Sequence, residues 1–337
     1  MSKLSVVLGI DIGGTNTVFG FVDKDGTCVA ESSIPTNASE SAEKLFERLF
    51  PKVDAVYETI AHKYSLVGIG IGAPNANYYT GKVELPPNLN WQIVNVVEIV
   101  KKYYNIPSAI TNDANAAALG EMKFGAAKGL KDFIVITLGT GLGSGIVSNG
   151  DLIYGHDGFA GEIGHVIVVE NGRQCGCGRK GCLETYASAT GIRRTVFELL
   201  CNSNDPSQLR SIPFEDLTSK MIYETAVLGD KIALAAFAFT GEILGKALAN
   251  AVAYTSPKAI ILFGGLASAG EILFAPTQKA MEDNMLNIFK NKVILLPSAL
   301  HNGNTAVLGA AALIWNELEK SKVQVNEHAA VENWDVM

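Results

Sequence analysis

Nothing in the 337-residue sequence reads as a secretory leader or targeting segment, and its five cysteines are odd in number, which argues against a disulfide framework. No cluster of lysine and arginine occurs either. With a net charge of −7 the chain has no concentrated basic face, so a nucleic-acid partner is not expected. A membrane-length apolar run is also missing: Glu242 and Lys246 interrupt the most apolar stretch, Ile232 to Tyr254, within about 20 residues, which fits a buried amphipathic helix. The expectation is a cytoplasmic protein with no membrane partner.

The sequence does contain much glycine and much apolar surface. Thirty-four glycines and a hydrophobic fraction of 48% imply full cores joined by many tight turns, on a chain long enough for two domains. Apolar runs of strand type alternate with helical stretches, expected over Ser41 to Tyr64, Val94 to Tyr104 and Ala116 to Met122, which points to α/β layers.

Three of the five cysteines fall in one glycine-rich loop. The run from Gly161 to Glu184 reads Gly161-Glu162-Ile163-Gly164-His165, a short apolar segment, then Cys175-x-Cys177-x₄-Cys182-Leu-Glu184. Glycines between the thiols let the backbone fold tightly around one centre, and His165 supplies an imidazole as fourth ligand. Cys₃His is a tetrahedral zinc composition, and a closed set of four is structural. Closure would fix the carboxylates at the two ends of the loop, Glu162 and Glu184.

Two strand, glycine turn, strand units stand far apart in the chain. The first is Ser5 to Ile10, then Asp11-Ile-Gly13-Gly14-Thr15-Asn16-Thr17, then Val18 to Val22. The second is Lys131 to Leu138, then Gly139-Thr140-Gly141-Leu-Gly143, then Ile146-Val147. Glycine lets backbone N–H groups approach an anion closely, and Thr15 and Thr17 add hydroxyls. No lysine follows the first turn as a P-loop would require, and a strand follows the second where a dinucleotide fingerprint needs a helix. Taken alone each could be a plain hairpin; as a pair they suggest two related halves, each offering a phosphate-binding turn.

Further along, Gly264-Gly265 ends a strand where a flat ligand could lie against backbone. The loop holding Asn88, Asn90 and Trp91 suits a sugar face and a packed surface loop equally. Asp113, after the strand Ser108 to Thr111, suits a helix N-cap, but also a carboxylate that takes a proton from a substrate hydroxyl at the ligand end of a strand.

Together these residues resemble the ROK family of sugar kinases and sugar-responsive repressors, from about Leu8 to Leu318, and within it the glucokinases most. The resemblance implies an α/β, actin-like ATPase (ribonuclease H-like) fold with two domains around a cleft: residues 1–115 plus about 304–320, residues 116–303 with the zinc loop, and a polar tail at 321–337. It implies ATP-dependent phosphorylation of a hexose at O6, with Asp113 as general base. Asn88, Asn112, Glu162, His165 and Glu184 would contact the sugar, His165 serving sugar and zinc through its two ring nitrogens, beside Cys175, Cys177 and Cys182 on the metal. Asp11 would order Mg²⁺ through water. Asp11, Gly13, Gly14, Thr15, Asn16 and Thr17, with Gly139, Thr140, Gly141 and Gly143, match the phosphate segments, and Gly264 and Gly265 the adenosine segment. A homodimer or dimer of dimers is implied, and a repressor is not expected, because the first turn at Asp11 leaves no room for a preceding DNA-binding domain. One departure stands out: where the family has Pro-Gly after the third strand, this chain has Pro74-Asn75-Ala76-Asn77.

Overall fold

The computed structural model describes residues 3–300 and 305–332; residues 301–304 and 333–337, within the expected domain junction and tail, lie outside it. The described residues form two compact units.

Unit 1 takes the described residues up to Lys128, Tyr154–Ala160, and those from Ala299 onward. Its strands are β1 (Leu4–Ile12), β2 (Asn16–Asp23), β3 (Cys28–Pro35), β4 (Tyr64–Gly72), the short β5 (Ala76–Asn77), β6 (Lys82–Glu84) and β7 (Ile93–Asn95), and β8 (Ser108–Thr111). Its first three helices are α1 (Ala42–Ile60), α2 (Val96–Lys101) and α3 (Asp113–Phe124). Five strands make one sheet in the order β3-β2-β1-β4-β8, with β1 antiparallel to β2 and parallel to β4, and β5, β6 and β7 make a small second sheet. Buried Leu8, Ile10, Phe19, Phe21, Phe46 and Phe50 fill one face of the main sheet, each contributing on the order of 2 kcal/mol of apolar transfer.

Unit 2 covers Gly129–Ile153 and Gly161–Ser298. It contains β9 (Phe133–Leu138), β10 (Leu142–Ser148), β11 (Asp151–Leu152), α4 (Ala189–Asn202), α5 (Ser219–Val227), α6 (Lys231–Thr255), β12 (Ala259–Phe263), α7 (Glu271–Asn284) and β13 (Ile294–Pro297). The sheet order is β11-β10-β9-β12-β13, with β9 antiparallel to β10 and parallel to β12. This is the scheme of unit 1 repeated: a hairpin whose first strand pairs on its other side with a parallel strand. The twin sheets are the arrangement expected of an actin-like ATPase. Helix α6, apolar and long enough to span a bilayer by length and composition, is mostly buried in the core of unit 2.

The chain then returns to unit 1 as α8 (Thr305–Glu332). Val307, Leu308, Ala311, Ile314 and Trp315 join Val7 and Val22 in a separate cluster on the other face of the sheet. The helix lies close enough that a Cβ on Gly70 would collide with the carbonyl of Ala310. The helix continues past Lys320, where only a polar tail was expected, because no glycine or proline interrupts residues 321–332. The expected boundary at 115/116 falls inside α3, which packs whole against α8, so the compact unit instead runs to Lys128.

Candidate active site and metal centre

Strand β8 delivers the chain to Asn112, whose extended backbone and side-chain oxygen make it the N-cap of α3; it accepts from the Asn115 N–H at 2.7 Å. Asp113 is therefore the first residue of the helix rather than its cap. One of its oxygens accepts from Ala114 N–H at 2.8 Å, and the side chain reaches solvent while protein surrounds it. Burial raises its pKa above the ordinary carboxylate value, against the opposing pull of the helix N–H groups. Asp11, near the end of β1, is pushed up to about 7, first by burial and then by the charge of Asp113. Two carboxylates that oppose each other's ionisation are a donor chemistry that suits a cation.

The first glycine turn is closed by Gly13 N–H donating to Asn16 O at 3.1 Å. A Cβ on Gly14 would come within 2.9 Å of the Asn88 Cβ, so glycine there lets the Asn88 loop lie directly on the turn. Thr15 and Asn16 are exposed. Thr17, expected among the phosphate groups, is not available: strand alternation turns it inward, and its hydroxyl pairs with that of Thr36 at 2.9 Å. Thr36 in turn donates to Gly13 O at 2.7 Å, a brace on the turn that the sequence did not reveal. Of the two readings open for the Asn88 loop, Trp91 takes the packed one, buried with its indole N–H donating to Glu40 O at 3.0 Å.

The departure at residues 75–77 has a local explanation. Asn75 adopts φ 52°, the left-handed conformation for which glycine is the default and asparagine the commonest substitute, and its amide donates to Leu85 O at 3.1 Å. Asn77 is buried, accepting from the N–H groups of Tyr79 and Thr80 and donating to Asp157 O at 2.7 Å. That last bond ties Tyr154–Ala160 into unit 1, alongside the stacked rings of Tyr154 and Tyr78, 4.1 Å apart.

In unit 2 the second turn is closed by Gly139 N–H donating to Gly141 O at 3.0 Å and Gly143 N–H to the Thr137 hydroxyl at 3.1 Å. Gly139 and Thr140 are exposed. Gly264 lies against Leu138 and the Leu266 N–H donates to Leu138 O at 3.1 Å, so the expected phosphate and adenosine segments adjoin. Glu184 reaches this turn from the zinc loop: one carboxylate oxygen accepts from Leu142 N–H at 3.0 Å, and a Cβ on Gly141 would collide with it. Glu162 is exposed, immediately before the short turn Ile163–His165.

The four expected metal ligands converge. The Nδ1 or Nε2 of His165 and the Sγ atoms of Cys175, Cys177 and Cys182 all lie within 4.8 Å of one another. Cys177 Sγ and Cys182 Sγ are 3.7 Å apart, too far for a disulfide, and Cys175 Sγ is 3.7 Å from His165 Nδ1. Tetrahedral zinc with Zn–S near 2.3 Å requires S···S of about 3.8 Å and S···N of about 3.6 Å, so the donor set fits the ion. The thiols also compete: burial and its neighbours push Cys175 up to about 12, while at Cys177 burial is outweighed by hydrogen bonds from Arg179 and the other thiols, and its pKa falls to about 6. Nδ1 is the ring nitrogen of His165 that lies on the thiol side, beside Cys175 Sγ.

Arg173 anchors this loop and was missed in the sequence. Its guanidinium donates to Thr185 O at 2.8 Å, Gly191 O at 3.1 Å, the Thr195 hydroxyl at 3.0 Å and both oxygens of Glu198, and it stacks over Tyr186. Most of these partners are backbone or hydroxyl groups 12–25 residues away, which no local pattern exposes.

Comparison with known proteins places these features in a family. The chain is 37% identical over 284 residues to a glucokinase of Halalkalibacterium halodurans, covering 82% of this chain and 84% of that one. It is 29% identical to the xylose repressor of Bacillus subtilis over 318 residues, 93% of this chain and 77% of the repressor. Its fold superposes with TM-score 0.76 on a ROK family glucokinase from Streptomyces griseus solved with glucose and AMPPNP, at 32% identity over 91% of this chain and 98% of that one. The ROK family model matches residues 7–317, and this chain belongs to that family.

Proposed function

We propose that the chain is an ATP-dependent hexose kinase that phosphorylates glucose at O6. The observation that carries this reading is Asp113: the helix cap is provided by Asn112, so the carboxylate next to it is left accessible, with a pKa raised toward that of a working general base. Phosphoryl transfer asks for positioning and charge neutralisation more than covalent chemistry. In this reading Asp113 accepts the O6 proton as the oxygen attacks the terminal phosphate. Asn112, Asn88, Glu162, Glu184 and the free nitrogen of His165 hold the other hydroxyls. The exposed backbone of both glycine turns binds the donor phosphates, and Gly264-Gly265 lines the adenosine. Mg²⁺, when bound, neutralises phosphate charge, and Asp11 is the residue that would order its waters. Zinc, when bound, holds the loop closed; its ligands Cys175, Cys177, Cys182 and His165 thereby fix Glu162 and Glu184.

The likeness to a xylose repressor supports a second reading, a sugar-responsive regulator. The accessible base favours the kinase, since a sensor has no use for a proton acceptor at that position. Both are tested by measuring ADP release over glucose, mannose, fructose, N-acetylglucosamine and N-acetylmannosamine, with ATP and then polyphosphate as donor. Glucose is expected to give the highest kcat/KM with ATP. No turnover with any sugar, together with salt-sensitive retention on DNA, would establish the regulator instead.

A further inference from the structure

The segment carrying Glu162 and His165 hangs on the strand that leaves the second glycine turn. Ser144 of β10 is 4% exposed; its hydroxyl donates to Gly161 O and accepts from Ile163 N–H at 3.1 Å. Two residues earlier, Leu142 N–H holds Glu184, while Leu142 O lies so close beneath Gly164 that any side chain there would strike it. Residues 142–144 thus touch both ends of the zinc loop. Their own position is set by the sheet, because β10 pairs with β9 from Leu142 opposite Leu138 to Val147 opposite Phe133. Gly161 sits at φ 95°, a conformation only glycine adopts freely, and its carbonyl also accepts from Ile163 N–H at 2.8 Å, a bond that closes the segment on itself without tying it to β10. Ser144 is the side chain that meets a backbone acceptor and a backbone donor on either side of Glu162 from the strand.

We propose that Ser144 is a positioning residue which makes the second glycine turn and the Gly161–His165 segment one rigid piece, so that nucleotide held by the turn tightens hexose binding. The inference rests on the hexose kinase reading above. Without the hydroxyl, Gly161 O and Ile163 N–H keep only their bond to each other at 2.8 Å, and the segment loses its side-chain tie to the strand that leaves the turn.

The test uses the zinc-loaded full chain. D-glucose affinity is measured by titration calorimetry with and without a non-hydrolysable MgATP analogue, in wild type, S144A and S144T, alongside zinc content. Wild type is expected to bind glucose about fivefold or more tightly when the analogue is present. In S144A that ratio should fall below half its wild-type value with one zinc per chain retained. S144T keeps the hydroxyl in a strand that favours β-branched side chains and should restore the ratio. An unchanged ratio in S144A, a wild type with no such ratio, an S144T that fails as S144A does, or an S144A that loses zinc would each overturn the inference alone. A wild type that neither binds glucose nor turns over any sugar of the ADP-release panel would overturn the kinase reading as well.

Discussion

The two glycine turns occupy equivalent places in twin sheets yet carry different chemistry. Two residues before the first glycine of each turn stands Asp11 in unit 1 and Thr137 in unit 2. The acid is buried beside a second carboxylate and resists ionisation, while the hydroxyl merely closes its own turn on Gly143. The second turn does meet a carboxylate, but Glu184 arrives from the zinc loop and is tied down by a backbone N–H. Duplicated topology therefore supplies two glycine turns, and a few side chains set them apart: unit 1 sets Asp11 against Asp113, and unit 2 gathers His165 and three cysteines in the loop that ends at Glu184.

That contrast can be broken at several points. The largest effect is expected from Asp113→Asn, which should lower kcat by about two to four orders of magnitude with folding intact, read by steady-state kinetics and circular dichroism. In wild type the acidic limb of kcat/KM should lie above the ordinary carboxylate range near 4, since activity is lost as the raised Asp113 pKa is crossed on acidification. Wild-type turnover in Asp113→Asn would move the chemistry away from unit 1.

Next comes the cysteine loop. Cys182→Ser should release zinc, measured by elemental analysis, and raise the hexose KM by about 10- to 100-fold with a smaller change in kcat. Retained zinc or an unmoved KM would separate the metal from the sugar.

A finer test sits within the second turn. Gly141→Ala would drive the Glu184 carboxylate aside and should raise the hexose KM on the order of tenfold, whereas a Cβ on Gly139 meets nothing within 4 Å and Gly139→Ala should leave that KM unchanged. Equal effects from the two would remove Glu184 from the argument.

The smallest effect concerns stability. The folded pKa of Asp11, about 7, lies above the ordinary carboxylate value of 3.8. Its contribution is therefore complete below about pH 4 and is lost as pH rises through 7. Without Mg²⁺, Asp11→Asn should match wild type in Tm near pH 4 and exceed it by a few degrees at pH 8, by calorimetry. A lower Tm at pH 8 would contradict the burial argument.

How far the sequence foretold this site depended on where each residue's partners lie. The hairpins and the convergence of His165 with Cys175, Cys177 and Cys182 were legible because alternating apolar runs, glycines and cysteine spacing are local signals. Asn112 and Asp113 suit the same cap, so only backbone geometry could assign it to Asn112. Thr17 could have been excluded by strand alternation, since Asn16 and Val18 flank it with the opposite facing. Thr36, Arg173 and Ser144 could not be found, because their partners lie 12 to 25 residues away and are mostly backbone groups. The unit boundary lies at Lys128 rather than at 115/116 for a related reason: what keeps α3 in unit 1 is its packing on a helix nearly 200 residues later.

That late helix reverses the usual order of assembly during translation. The sheet built from the first strands exposes the face around Val7 and Val22 until residues beyond Thr305 have left the ribosome, so the middle of the polypeptide can complete its core while the beginning waits. A nascent chain stalled before α8 should present protease-sensitive N-terminal strands beside an already resistant centre.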